Sequence, residues 1–282
     1  MRVVDSHIHL FPPEVAANRG RFVDLDPAFG QLYHNPRARL ATVDEALASM
    51  DAAGVDHAVV QGFGWTDPVL CSAHNDYLAD VVRQHPDRFS AFGAVQPTDA
   101  GRAAAEVDRL FRLGFRGIGE LMPHLQGYSL ADEQVMAPVA EAAAALGLVL
   151  LTHASEPVGH AYPGKGDVTP QTILALAERW PELVVVAAHW GGGLPFYELM
   201  PEVAAAARNV YYDTAASPLL YRMDVYQTVV GIVGPERVLF GTDYPLLQQR
   251  PFLRKLRAAG LPEDALAQIL RANAMRVLKL GG

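Results

Sequence analysis

Short apolar, β-branched runs alternate eight times with stretches of helical period, and this alternation limits the fold more than any other feature of the chain. The strand-like runs fall at 2–10, 55–61, 89–95, 115–121, 148–153, 183–189, 210–213 and 238–243. Between them the spacing predicts helices near 42–54, 72–85, 99–113, 132–146, 170–180, 195–207 and 218–233, with 251–259 and 263–280 closing the chain. Thr42 followed by Glu45 is a capping-box pattern that opens the first of these helices, and Gly54 ends it. Strand and helix in strict turn, without a long linker or low-complexity tract, specify an α/β fold with parallel strands. The expectation is one (β/α)8 TIM-like barrel domain over residues 1–282. An open doubly wound sheet is the rival, but it usually carries a glycine-rich phosphate loop after its first strand, where this chain has His7 and His9.

Residues 11–41 hold Pro12, Pro13, Pro27 and Pro36 and no sustained period, so they read as a long loop inserted after strand 1. In that place the loop can cover a site at the strand end. Arg19, Arg21, His34, Arg37 and Arg39 would then be available to an anionic substrate, although solvated surface charge is the ordinary reading of such residues.

The formal charge of −8 argues against a nucleic-acid-binding surface. A single cysteine, Cys71, rules out an internal disulfide and a thiolate zinc site, so any metal must use His, Asp or Glu. Asp5, His7 and His9 interrupt the apolar run that a secretory signal needs, and no stretch approaches the roughly 20 apolar residues of a membrane span. A cytoplasmic protein is expected, acting on a small molecule, with neither nucleic acid nor membrane as partner.

Side chains of a strand alternate faces, so His7 and His9 point the same way, with Asp5 on that face one step deeper. Further ligand-type residues stand at later strand ends: Glu120 at the fourth, His153 at the fifth, His189 at the sixth and Asp243 at the eighth. Singly, each has an ordinary explanation as a helix cap, a core histidine or a turn residue. Together they describe a metal site at the mouth of a barrel, where catalytic groups of this fold gather. Asp5 is placed either to orient a ligand histidine or merely to hold barrel polarity.

The motifs Asp5-Ser6-His7-Ile8-His9, Gly119-Glu120-Leu121, Thr152-His153-Ala154, His189-Trp190-Gly191-Gly192-Gly193 and Gly241-Thr242-Asp243-Tyr244-Pro245 resemble the amidohydrolase superfamily. They look like its amidohydrolase-2 branch of TIM-barrel metal-dependent hydrolases, and the likeness covers essentially the whole chain. The resemblance implies His7, His9 and Asp243 as metal ligands, with His153 completing a one-metal site and His189 acting on the metal-bound water or the substrate. If two metals bind, it implies Glu120 as the bridge and His153 with His189 around the second ion, as in TatD-like relatives. Many superfamily members place a carboxylated lysine where this chain has Glu120.

The expected reaction is metal-dependent hydrolysis of an ester, lactone or amide, with Asp243 taking and returning the proton and His189 assisting. The nitrogen and oxygen donors favour Zn2+, then Mn2+, Fe2+ or Co2+, as one ion or two. Non-oxidative decarboxylation of an aromatic or unsaturated acid is the alternative enzyme, and a non-catalytic metal-binding barrel is the alternative to catalysis. Substrate contacts are expected from His160, Tyr162 and Lys165 in the loop after strand 5, and from Trp65 after strand 2.

Overall fold

A computed structural model describes residues 2–280. Its strands are β1 (Val4–His9), β2 (His57–Gln61), β3 (Phe89–Gly93), β4 (Gly117–Leu121), β5 (Val149–Thr152), β6 (Val185–Ala187), β7 (Val210–Asp213) and β8 (Val238–Leu239). They lie parallel in sequence order, each bonded to the next. Ser6 N–H donates to Phe240 O and His9 N–H to Tyr244 O, both at 2.7 Å, which joins the β1 and β8 segments into a ring. The expected (β/α)8 barrel is therefore borne out. Among the described residues no helix is long and apolar enough to cross a membrane.

Strand alternation decides what fills the ring. Val149 and Leu151 of β5 point inward to meet Val4, Val59, Val186 and Leu239, while Leu150 and Val185 join the outer layer between sheet and helices. Ala274, Val277, Leu278 and Leu280 pack on the same inner cluster, so the barrel is filled there by side chains. Open space is left at the carboxyl ends of the strands.

The segment expected as a loop is instead three short helices, Pro13–Ala17, Arg19–Leu25 and Pro27–Tyr33. Five to seven residues are too few to show a helical period in sequence. Two of these helices begin on a proline, whose missing N–H is harmless at that position. Their stability comes from an aromatic cluster in which Phe11, Phe22, Phe29, Phe63 and Trp65 are all buried. Asp26 fastens the insertion to the β2 loop, accepting from Phe29 N–H at 3.0 Å, Thr66 N–H at 2.8 Å and the Thr66 hydroxyl at 2.6 Å.

Three expected helices also differ in detail. The one expected at 195–207 is two pieces, Leu194–Tyr197 and Pro201–Ala206, because Pro201 cannot donate to a continuing helix. The one at 218–233 breaks between Ser217–Leu220 and Val225–Val233. The last contains a wider, π-type turn at Gln268–Ala272.

Candidate metal centre

His7 and His9 project from the end of β1 to the same side, their Nε2 atoms 3.1 Å apart. Glu120, on β4 and 1% exposed, lies between two pairs of imidazoles. Its Oε2 is 3.5 Å from His7 Nε2 and 3.3 Å from His9 Nε2. Its Oε1 is 3.2 Å from His153 Nδ1 and 3.5 Å from His189 Nε2. Asp243 Oδ1 completes the first pair, 3.5 Å from His9 Nε2 and 4.0 Å from His7 Nε2. The structure so gathers every expected ligand into two triads, His7 with His9 and Asp243, and Glu120 with His153 and His189, whose donor atoms lie within 4.8 Å of one another in each.

Two of these residues stand beyond the regular strand. β6 stops at Ala187 and β8 at Leu239, and His189 and Asp243 follow in left-handed conformations with φ of 56° and 62°. Such a conformation costs a non-glycine residue roughly 1–2 kcal/mol, so it persists only where neighbours enforce it. Asp243 N–H donates to His7 O at 2.9 Å, and His189 N–H donates to Asp213 Oδ1 at 2.9 Å. The glycine run after Trp190 is also explained: Gly191, Gly192 and Gly193 all have positive φ, and a Cβ on Gly192 would lie 2.3 Å from the carbonyl oxygen of Ser155.

Two of the rings have their outer nitrogen committed, which leaves the Nε2 lone pair of the neutral ring facing inward. His7 Nδ1–H donates to the Asp213 carboxylate at 2.8 Å, and His189 Nδ1–H donates to Ala215 O at 3.1 Å. His7 Nε2, His9 Nε2, a Glu120 oxygen and an Asp243 oxygen converge on one small space, and buried His9 Nδ1 has no hydrogen-bond partner among the described residues. Electrostatics agree. Burial opposes charge on His7, yet the Asp213 and Glu120 carboxylates hold it well above the usual imidazole range. Burial likewise opposes charge on His189, but the hydrogen bond it donates to Glu120 and the charges of Asp243, Glu120 and Asp213 push it up to about 9. Burial would lift Glu120, and His7 with the surrounding histidine bonds holds it well below the carboxylate range instead. A buried cluster that draws protons onto its imidazoles is short of positive charge, and a divalent cation supplies it. The donor set thus fits a metal.

Asp213, at the end of β7, went unmarked in the sequence reading although it ends a strand as the other ligand-type residues do. Asp5 does not orient a ligand ring. The register of β1 against β2 shifts between Asp5 and Ile8, and the Asp5 carboxylate accepts from the Thr242 hydroxyl at 2.6 Å and Gln249 Nε2 at 2.9 Å. Burial raises its pKa to about 6.

Over the cluster opens a cavity of about 650 Å³. Leu32 and Tyr33 of the insertion, Met122, Leu219 and Leu246 wall it with apolar surface, while Arg37 and Arg39 reach it from the insertion. Of the expected substrate contacts, His160 and Tyr162 line it. The Lys165 ammonium is instead bonded to Val158 O at 2.6 Å and His160 O at 3.1 Å, closing its own loop. Trp65 is 1% exposed inside the aromatic cluster and takes no part in the wall.

Three comparisons bear on this site. The chain is 26% identical over 199 residues to 2-amino-3-carboxymuconate-6-semialdehyde decarboxylase of Dictyostelium discoideum, covering 61% of this chain and 55% of that one. It is 25% identical to γ-resorcylate decarboxylase of Rhizobium sp. strain MTP-10005, covering 97% of both. Its fold matches 5-carboxyvanillate decarboxylase of Novosphingobium aromaticivorans, solved with manganese and 3-methoxy-4-hydroxy-5-nitrobenzoic acid. That match has a TM-score of 0.80 at 22% identity and covers 99% of this chain and 97% of the other. These relatives overturn hydrolysis, and the hydrolase class with it, as the leading expectation: each is named for breaking a carbon–carbon bond, a lyase reaction that the sequence reading ranked second. The family profile described as amidohydrolase matches residues 4–280, and the chain belongs to the amidohydrolase family.

Proposed function

We propose that the protein is a metal-dependent, non-oxidative decarboxylase of an aromatic or unsaturated carboxylic acid. The observation that carries this reading is the cavity itself, apolar in its walls, opening on the ligand cluster, and bearing Arg37 and Arg39 in a chain of net charge −8. Apolar walls suit a planar hydrocarbon framework, and the two guanidinium groups attract its anionic substituents. The full-length likeness to γ-resorcylate decarboxylase supports the same class.

In such a reaction the bond between the carboxylate and its carbon breaks, the electron pair stays on that carbon, and a proton replaces the departing carbon dioxide. No water is consumed and nothing is oxidised. Asp243 is the proposed proton carrier: its side chain, 15% exposed, is more open than those of the other ligand-type residues and lines the cavity. His7, His9 and Asp243 would hold one divalent ion, and Glu120, His153 and His189 a second. When bound, an ion there supplies positive charge to a substrate oxygen. The donors suit zinc, the first choice from sequence, and equally the manganese that the Novosphingobium aromaticivorans enzyme binds. His189 then belongs to the second triad, and a role in activating water no longer applies to it.

The test is incubation of ion-loaded protein in D2O with γ-resorcylate, 5-carboxyvanillate and a wider panel of ortho-hydroxy aromatic and unsaturated acids. Carbon dioxide release with deuterium at the vacated carbon is expected from at least one acid, together with a metal content near two ions per chain. Fully loaded protein that releases none across the panel overturns the reading, and a content of one ion leaves Glu120 a pocket residue.

A further inference from the structure

We infer that Asp213 is the positioning residue of this centre, fixing by one carboxylate the aim of an imidazole in each triad. The inference rests on the metal-site reading above and adds to it a residue that binds no ion itself.

Asp213 ends β7 and is fully buried. Its Oδ2 accepts from His7 Nδ1–H at 2.8 Å. Its Oδ1 accepts from the backbone N–H of His189 at 2.9 Å and of Ala215 at 3.0 Å. Both oxygens are therefore occupied by protein donors, which separates Asp213 from the six side chains of the two triads. The bond to His7 decides the tautomer: a carboxylate can only accept, so the proton sits on Nδ1 and the lone pair of Nε2 is left to the cluster.

The other oxygen acts on the backbone. His189 has φ of 56° and would not hold that conformation without a partner for its N–H. The turn that Asp213 bonds returns the contact, since Ala215 O accepts from His189 Nδ1–H at 3.1 Å. His189 is thereby gripped at backbone and ring by one short segment, 213–215, and its Nε2 is left facing Glu120 Oε1 at 3.5 Å. His7 Nε2 faces the other oxygen of the same glutamate, also at 3.5 Å. One residue on β7 so aligns ligands from β1 and β6 on the two oxygens of a third strand's carboxylate.

Asp213→Asn separates these two duties. The amide oxygen can still accept from the N–H groups of His189 and Ala215, keeping the turn. The amide nitrogen, now opposite His7, is a donor, and it drives the His7 proton to Nε2, where it blocks a metal. Manganese titration followed by the electron paramagnetic resonance of free Mn2+ is the experiment, with the circular dichroism and melting curve of the ion-free variant beside it. Mn2+ affinity is expected to fall about 10–100-fold, the usual effect of losing a partner behind a ligand histidine, while the variant still melts cooperatively. Asp213→Ala should lose at least as much affinity, because it frees the His189 turn as well. An Asn variant that binds Mn2+ within twofold of wild type, with or without a lowered melting temperature, overturns the inference. Wild-type protein that takes up no Mn2+ instead sinks the metal-site reading on which the inference stands.

Discussion

Trp65 Nε1–H donates to His74 Nδ1 at 3.1 Å, and the opposite ring nitrogen of His74 donates to Leu10 O at 2.8 Å. The histidine is thus locked as one neutral tautomer in a fully buried position, and burial takes its pKa from 6.5 down to about 4. The folded state holds fewer protons than the unfolded chain between those two values. Stability from this group is therefore complete above about pH 6.5 and is lost as the pH falls toward 4. Each pH unit inside the window is worth about 1.4 kcal/mol. Urea unfolding at pH 7 and pH 5 should show wild type losing about 2 kcal/mol more than His74→Gln over that interval. Equal losses in the two proteins would show that His74 titrates normally in the fold.

Asp243 lies at the open side of the first triad, where the proposed reaction needs a proton delivered to carbon. Asp243→Asn keeps the shape and removes the proton carrier. It should lower kcat for decarboxylation by about 10²–10⁴-fold, the range for loss of a general acid. Rates are to be compared at saturating Mn2+, with bound metal measured in both proteins. A variant with bound ion and a rate within threefold of wild type would move the proton to another residue.

Why the barrel could be read from the sequence, and the site only in part, follows from the range of the interactions. Strand identity is local: Val149 and Leu151 against Leu148 and Leu150 already alternate between the two apolar layers they later join. The candidate ligands were legible because they stand at or near the ends of apolar runs, and the fold brings strand ends together. Asp213 occupies the same kind of position, but its carboxylate bonds the His7 ring and the His189 backbone, and only distance shows that. The insertion was misread as a loop because its helices owe their existence to packing against Phe63 and Trp65 from elsewhere in the chain, not to their own period. The same cluster removed Trp65 from the expected substrate wall. Lys165, a free charge on paper, is consumed by carbonyls of its own loop.

Among the arginines that the sequence offered to an anionic substrate, Arg37 and Arg39 line the cavity, whereas Arg19 donates to Asn35 O at 2.9 Å and Arg21 pairs with Glu14 at 3.5 Å. Arg39 lies 3.9 Å from Glu45 and over the Tyr244 ring, so Arg37 is the less committed of the two. An interaction made equally in the ground and transition states changes KM and leaves kcat alone. Arg37→Met should therefore raise KM for the acid by about 5–10-fold, the worth of one partly solvated charged hydrogen bond, with kcat within twofold. The wild-type KM should also rise with ionic strength more steeply than that of the variant. Steady-state kinetics at low and high salt measure both, and an unchanged KM would place the substrate's charge elsewhere.

The loops carrying His153 and His189 meet at Gly192. Its φ is 59°, and an added Cβ would stand 2.3 Å from Ser155 O and 2.7 Å from Ser155 C, backbone atoms two residues beyond His153. Neither obstacle can be relieved by turning a side chain. The left-handed conformation alone disfavours alanine by roughly 1–2 kcal/mol, and the contact forces the two loops apart. Gly192→Ala should thus destabilise the protein by about 2–4 kcal/mol, within the range of strained backbone substitutions. Because the displaced segments hold two members of the Glu120 triad, the variant should lose the second ion before the first. Chemical unfolding measures the former, and metal content across a Mn2+ titration the latter. If Gly192→Ala unfolds like wild type and still takes up two ions, the loops have slack there, and the glycine run owes its place to something other than the fit between the two histidine segments.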